Sequence, residues 1–253
     1  MRIHSFQYTA LDGTPFVGAF QSSLADPVEW TARGLPRDQI ARILRGDWYT
    51  RVKRVLDIVF ATALLVVLSP LLLAIALAVM WSSSGPVLYH QPRIGRFGRP
   101  FQMQKFRTMG PDRRSQDTGP PDGVPERRRY HKTRDAGRDP RVTQVGRMLR
   151  RTSLDELPQL WNVVRGDMSL IGPRPEMPYL VARYQPWQHA RHLIRPGITG
   201  WWQVNRSDRW LEGLLMHEAT DLDLYYVQHQ SAWLDIVILL RTFGAVMRGS
   251  GAY

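Results

Sequence analysis

The sequence predicts an α+β protein, mainly helical, with one re-entrant membrane helical hairpin, a short β-hairpin and interfacial amphipathic helices. Three observations carry this expectation. Ile58–Trp81 runs for about 24 residues without a charge, enough to span a bilayer, yet Ser69-Pro70 breaks it near the middle. Val87–Tyr89 and Pro100–Lys105 read as short strands around a glycine-rich basic turn, Arg93–Arg99. Leu157, Leu160, Trp161 and Val164 recur at helical spacing, and so do Trp233, Ile236, Val237, Leu240, Phe243 and Met247.

Composition narrows the partners. A chain of 253 residues allows one or two domains with a real core. It has no cysteine, which excludes disulfides, thiol catalysis and cysteine metal sites. Lysine and arginine number 34 against 22 acidic residues, a net charge of +12. Such a charge suits an anionic membrane surface, phosphorylated substrates or nucleic acid. Nine tryptophans favour the membrane interface, where that side chain is enriched. The N-terminus lacks the apolar core of a secretory signal peptide.

Two domains are expected. Residues 1–46 read as a small appendage: Phe6, Tyr8, Phe16, Val17 and Phe20 flank Asp12-Gly13, a hairpin signal, and short helices follow at Leu24–Arg33 and Arg37–Arg45. Residues 47–253 form the main domain, with 58–81 as its membrane segment. Pro70 removes a hydrogen bond to Val66 and costs about 3 kcal/mol inside an ordinary helix. Each arm of the apolar run is then about 11 residues, roughly 16 Å, or half the hydrocarbon thickness. Basic residues stand on both sides, Arg45, Arg51, Lys53 and Arg54 before it and Arg93, Arg96 and Arg99 after. Basic flanks prefer the cytoplasm, so a hairpin that enters and returns satisfies both, whereas a kinked spanning helix puts one outside. Asp57 is placed to pair with Lys53 or Arg54 at helical spacing. The basic β-hairpin is either a solvated surface or one that touches lipid headgroups and sets Lys105 and Arg107 near a phosphate. Residues 110–140, rich in proline, glycine and charge, read as a loop, and His131 there as a solvated histidine.

The centre of the chain is Leu149–Pro175. Asp155 and Glu156 stand side by side, with Arg150 and Arg151 upstream and Arg165 and Arg174 downstream. Pro158 is tolerated only in a first helical turn, which puts a helix start close to Asp155. A helix start with two carboxylates and several arginines suits an anionic ligand together with a divalent cation. The plainer alternative is capping: Ser153 and Glu156 fit the S-x-x-E box, and Asp155 fits an N-cap. Further on, Pro178–Leu193 reads as a helix interrupted at Pro186 and Ile194–Arg206 as turns. Trp201 and Trp202 suit a core or an interface equally. Asp221–Tyr226 starts another helix, and Trp233–Met247 suits a membrane surface or an ordinary core.

The order of motifs resembles a known family. Lys53–Asp57 (KRVLD), the apolar run with Ser69-Pro70, Lys105–Met109 (KFRTM), Arg150–Pro175, Arg195–Asn205 (RPGITGWWQVN) and Gly251–Tyr253 (GAY) are similar to the monotopic phosphoglycosyl transferases, or bacterial sugar transferases. The resemblance runs from about Lys53 to the C-terminus and displaces the capping reading. It implies a cytoplasmic catalytic domain on the bacterial inner membrane. It implies transfer of a sugar-1-phosphate from a nucleoside diphosphate sugar, expected to be a uridine nucleotide, to a polyprenol (undecaprenyl) phosphate. By the same resemblance Asp155 is the nucleophile, Glu156 the ligand to Mg²⁺, and Lys105, Arg150 and Arg174 bind phosphate. After Gln-Val-Asn the family commonly has Gly-Arg, and here Arg206-Ser207 stands instead. Arg206 supplies that guanidinium from a shifted position, or Arg209 does, or the contact is missing. The implied partners are the nucleotide sugar, the lipid phosphate and the phospholipid bilayer, with no nucleic acid and with a homodimer left open. Two competing readings are a direct attack by the lipid phosphate in a ternary complex and a basic peripheral scaffold or nucleic-acid-binding protein.

Overall fold

The computed structural model describes residues 40, 41, 43, 46–110, 141–205 and 216–247. Most of the N-terminal appendage, the loop with His131, Arg206, Arg209 and the Gly251–Tyr253 terminus lie outside the described residues. What is described is mainly helical, with two small two-stranded sheets.

The first helix, α1 (Trp48–Val67), starts at Asp47, whose carboxylate accepts the Thr50 N–H at 2.9 Å and so caps the helix. The basic residues Arg51, Lys53 and Arg54 therefore lie inside the helix. The apolar run divides near its middle, as its sequence implies, with Ile58–Val67 at the end of the 20-residue α1 and Ser69–Trp81 in the 14-residue α2 (Ser69–Ser82). The two meet at Leu68 with a 63° bend. The break follows from the Ser69-Pro70 pair. Pro70 occupies the first turn of α2, where its missing N–H is harmless, and Ser69 Oγ donates to the Val66 carbonyl at 2.7 Å. No single helix among the described residues is long and apolar enough to cross a membrane; the bent pair passes that test only together.

Both arms are apolar all round, yet one stripe of each packs on the rest of the protein. Ala61 of α1 meets Met103, Leu160, Val163 and Met168. Ile75 and Val79 of α2 meet Phe106 and Leu149. The opposite faces carry exposed Val59, Phe60, Val66, Val67, Leu73, Met80 and Trp81. The expected pairing of Asp57 with Lys53 or Arg54 is not made. Lys53 instead reaches Asp235 at 2.8 Å, and Arg54 donates to the carbonyls of Val163 and Val164. Buried Asp57 accepts the Leu170 N–H at 3.1 Å, because its side of α1 faces the sheet rather than solvent.

The hairpin is present and longer than its sequence signal. β1 (Leu88–Ile94) pairs antiparallel with β2 (Pro100–Phe106), from Leu88 opposite Phe106 to Ile94 opposite Pro100. The reversal is tight, and Phe97 and Gly98 both have positive φ (59° and 72°). Helix α3 (Gln144–Thr152), capped by Thr143, leads into a 3₁₀ turn, Leu154–Glu156, and then α4 (Gln159–Arg165). A second sheet went unread in the sequence: β3 (Ser169–Ile171) lies parallel to β4 (Gly197–Thr199). Its chains approach so closely that a Cβ on Gly197 would stand 2.1 Å from the Gly172 nitrogen. Between them Pro178–Leu193 is mostly not α-helical: α5 (Pro178–Val181) is one turn, and Pro186–Leu193 is a 3₁₀ helix.

Three helices complete the fold: α6 (Trp201–Asn205), α7 (Met216–His229) and α8 (Ala232–Met247). Trp201 packs against the cluster of Ile171, Tyr226 and Ile238 and stacks on Tyr225. On α8, Asp235 ties three helices together. It accepts from Lys53 and Tyr49 of α1 and from Tyr226 of α7, at 2.8, 2.7 and 2.6 Å. The other face of α8 exposes Trp233, Ile236, Leu240 and Phe243.

Candidate active site

Asp155 and Glu156 lie in the 3₁₀ turn between α3 and α4, not in the first turn of the helix. Pro158 forms the N-cap of α4, so the helix begins four residues after Asp155. Ser153 adopts the left-handed conformation (φ 58°) and makes no side-chain capping bond. The capping box, the alternative that the family resemblance displaced, is absent here. Glu156 turns the other way, toward β2.

One buried side chain sets the distance between α4 and β2. Asn162 accepts the Gln104 N–H at 3.0 Å and donates to the Gln102 carbonyl at 2.8 Å. It thus replaces a missing strand at the sheet edge, where unmet backbone groups would be costly. This registers the dyad against the next residue of β2, Lys105. Glu156 Oε1 receives both Lys105 Nζ at 2.6 Å and Arg174 Nη2 at 3.1 Å.

The two carboxyls consequently differ in charge state and partners. Burial works against the charged form of Glu156, but Arg174 and Lys105 outweigh it and bring its carboxyl down to about 2. Asp155 is 8% exposed and makes no direct ion pair among the described residues. Burial pushes its carboxyl up, with the neighbouring Glu156 charge adding to this and Lys105 and Arg150 opposing it. One carboxyl is held ionised between two cations, and its neighbour is recessed and in no ion pair among the described residues. Environments that push paired carboxyls apart divide their chemical roles.

Arg174 is mounted rigidly. Prolines 173 and 175 flank it and restrict its backbone. Each carbonyl from Pro173 to Glu176 then has its own donor. Gly197 N–H reaches Pro173, Arg191 reaches Arg174 at 2.5 Å, Arg93 reaches Pro175 at 2.9 Å and Ile94 N–H reaches Glu176. Arg191 is itself held by Asp223 and by the Tyr184 hydroxyl, both at 2.5 Å. Sequence reasoning missed Arg93, Asn162, Arg191 and Asp223. Only the prolines around Arg174 hinted at a mount, and nothing in spacing linked Asp223 to it.

Of the residues singled out from the sequence, Lys105, Asp155, Glu156 and Arg174 come together. Arg150 stands close enough to act on Asp155 electrostatically and donates from Nε to Thr108 Oγ1 at 2.9 Å. Arg107 does not join the cluster. Its guanidinium closes the end of α2, donating to the carbonyls of Val79, Ser83 and Pro86. The carbonyls that follow the end of a helix have no intrahelical donor, and Ser83 and Pro86 offer theirs to Arg107. Ser69 and Pro70 are far along the chain from the dyad and act only in the α1–α2 break.

The donor set fits a magnesium ion in one respect. No group of three or more metal-ligating side chains exists among the described residues, but Mg²⁺ is commonly held by one or two carboxylates with substrate phosphates. Both cations bond Glu156 through Oε1, and Oε2 carries no hydrogen bond among the described residues.

The mount generates a prediction. Arg191→Met leaves Asp223 buried without its cation and should cost about 3–5 kcal/mol. Adding Asp223→Leu should recover much of that loss. Thermal unfolding of the full chain in detergent checks this: additive losses in the double variant would show that the two residues are not coupled.

Comparison with known proteins gives the family. Residues 48–249 match the profile of the family described as bacterial sugar transferase. The chain is 43% identical over 228 residues to the UDP-glucose:undecaprenyl-phosphate glucose-1-phosphate transferase of Caulobacter vibrioides, covering 86% of this chain and 80% of that protein. It is 42% identical over 198 residues to the Escherichia coli protein of the same name, covering 76% of this chain and 39% of the relative. It is 36% identical over 227 residues to the UDP-N-acetylgalactosamine-undecaprenyl-phosphate N-acetylgalactosaminephosphotransferase of Aeromonas hydrophila, covering 86% of this chain and 49% of the relative. The chain thus spans half or less of two of these relatives and most of the third. With a profile match over most of its length and relatives more than 30% identical over most of this chain, the chain belongs to the bacterial sugar transferase family.

Proposed function

We propose that the protein transfers a sugar-1-phosphate from a UDP-sugar to undecaprenyl phosphate, the first step of a glycan built on a lipid carrier. The observation that carries this reading is the unequal carboxylate pair, with Glu156 locked between Lys105 and Arg174 and Asp155 buried and in no ion pair among the described residues. The names of the similar proteins support the substrate classes, since they include glucose, galactose and N-acetylgalactosamine transferases.

The chemistry follows from the charges. A carboxylate oxygen of Asp155 attacks the phosphorus that bears the sugar. The bond from that phosphorus to the bridging oxygen breaks, and UMP leaves with the electron pair. The resulting acyl phosphate is attacked by an oxygen of undecaprenyl phosphate, and the aspartyl carboxylate is regenerated. The lipid phosphate is already anionic, so neither step needs a general base. Lys105, Arg150 and Arg174 supply positive charge around the phosphoryl oxygens. Glu156 orients Lys105 and Arg174, and with Oε2 it would hold Mg²⁺. Mg²⁺, when bound, neutralises diphosphate charge and that of the leaving UMP.

The acid side of the pH profile tests the assignment. Asp155 reacts only when ionised. Burial raises its pKa, so activity should begin to fall, as pH decreases, above the ordinary aspartate range. Glu156→Gln removes the like charge and lets Lys105 act on Asp155 alone, so the limb should move to lower pH in the slow residual activity. With undecaprenyl phosphate and a panel of UDP-hexoses, Asp155→Asn and excess EDTA should each abolish transfer. An acid limb that ignores Glu156→Gln would remove Asp155 as the titrating group.

The bent α1–α2 pair is the re-entrant anchor of this reading, placed in the bacterial inner membrane with the dyad on the cytoplasmic side. Exposed apolar faces on both arms and basic residues at both ends support it. Single cysteines replacing Thr50 and His90 should both resist an impermeant thiol reagent in intact cells. Labelling of either from outside would mean that the pair spans the membrane.

A further inference from the structure

A second group of cations lies away from the dyad. A shallow, partly open cleft is lined by Lys53, Arg54 and Asp57 of α1, Arg96 of the hairpin turn, Ser169 of β3 and Arg195 before β4. Lys53 is already matched by Asp235. The three arginines are not matched by any carboxylate in direct contact among the described residues. Each is instead oriented by backbone carbonyls. Arg54 donates to Val163 at 2.7 Å and Val164 at 3.1 Å, Arg96 to Leu193 at 3.0 Å and Arg195 to Gly166 at 3.1 Å.

Carbonyl dipoles fix a guanidinium without cancelling its charge. Each arginine has five N–H donors, so each keeps donors to offer. Burial, followed by the like charge of Arg195, pushes Arg96 down to about 10. Asp57 is the one carboxylate in the wall, and its Oδ1 is engaged by the Leu170 N–H.

Position separates this cleft from the dyad. Arg54 and Arg195 bond the last residues of α4 and the glycine after it, whereas Asp155 and Glu156 precede that helix. Four helical residues, Gln159–Asn162, lie between the dyad's turn and the first of these contacts, about 6 Å along the axis. Position also indicates the ligand. Asp57, in the cleft wall, directly precedes the uncharged run that starts at Ile58.

The geometry points to a second phosphate site, in which Arg54, Arg96 and Arg195 take the phosphodiester headgroup of an anionic membrane lipid. This rests on the reading of α1–α2 as a membrane hairpin, which puts the cleft within a helical turn of the hydrocarbon edge. A headgroup phosphate held there would fix the depth and tilt of α1. Through Arg54 and α4 it would also fix the height of the dyad above the bilayer.

The test uses the full chain in neutral detergent micelles, titrated with dioctanoyl phosphatidylglycerol, dioctanoyl phosphatidylcholine and inorganic phosphate. Wild type should bind phosphatidylglycerol about tenfold more tightly than phosphatidylcholine, and inorganic phosphate only weakly. Arg96→Gln and Arg195→Gln should each weaken phosphatidylglycerol about tenfold, the size expected for losing a charged hydrogen-bond donor. Arg195→Lys should restore most of the binding at an unchanged melting temperature, and Asp155→Asn should leave it intact. Equal binding by wild type and both glutamine variants would overturn the site. Inorganic phosphate binding as tightly as phosphatidylglycerol would overturn the lipid as its source. Extraction of wild-type membranes separates this from the anchor: release by high salt alone would reject the hairpin, whereas a need for detergent with unchanged variants would reject only the site.

Discussion

The site depends on one interaction, the double hold of Lys105 and Arg174 on Glu156. Two carboxyls adjacent in sequence and both largely buried would otherwise compete for protons. Two cations at 2.6 and 3.1 Å from one oxygen resolve the competition in favour of an ionised Glu156. Asp155 is then left near positive charge but, among the described residues, outside any ion pair. A nucleophilic carboxylate needs that condition, because an ion pair would tie up the lone pairs that must reach phosphorus. Much of the surrounding fold serves to keep the two cations in place. Asn162 sets Lys105 through the β2 edge, and Arg93, Arg191 and Asp223 set Arg174 through its backbone.

The same logic extends to the helix pair. Arg54 of α1 holds the far end of α4, and Lys53 joins α8 through Asp235. The apolar arm that continues from these residues is thereby rigidly coupled to the turn that carries the dyad. Any surface that fixes α1 fixes the height of the site above it. For a reaction whose acceptor phosphate sits at headgroup level, that coupling is a geometric requirement.

Local chemistry was legible in the sequence, and long-range chemistry was not. Ser69-Pro70 announced the break because proline acts on its own neighbours. The hairpin was visible from its glycine-rich turn, and Lys105, Asp155, Glu156 and Arg174 from a resemblance in motif order. α1 starts well upstream of the uncharged run, at Trp48, because charge marks where lipid could begin, not where a helix does. β3 and β4 are three residues each, too short for a period-2 signal, and their parallel pairing joins segments 28 positions apart (Ser169 with Gly197). Asp57 seemed suited to Lys53 or Arg54 by helical spacing, but the sheet offered it a backbone N–H instead. Arg107 looked like part of the basic cluster, yet the open carbonyls at the end of α2 captured it.

The covalent role of Asp155 is the central claim, and omitting the lipid acceptor tests it most directly. Purified enzyme mixed with a UDP-sugar alone should release up to one equivalent of UMP and gain the mass of a sugar-phosphate on the peptide containing Asp155. The Asp155→Asn variant should do neither. Full turnover with undecaprenyl phosphate, but neither UMP nor adduct without it, would contradict the covalent route and establish direct attack in a ternary complex.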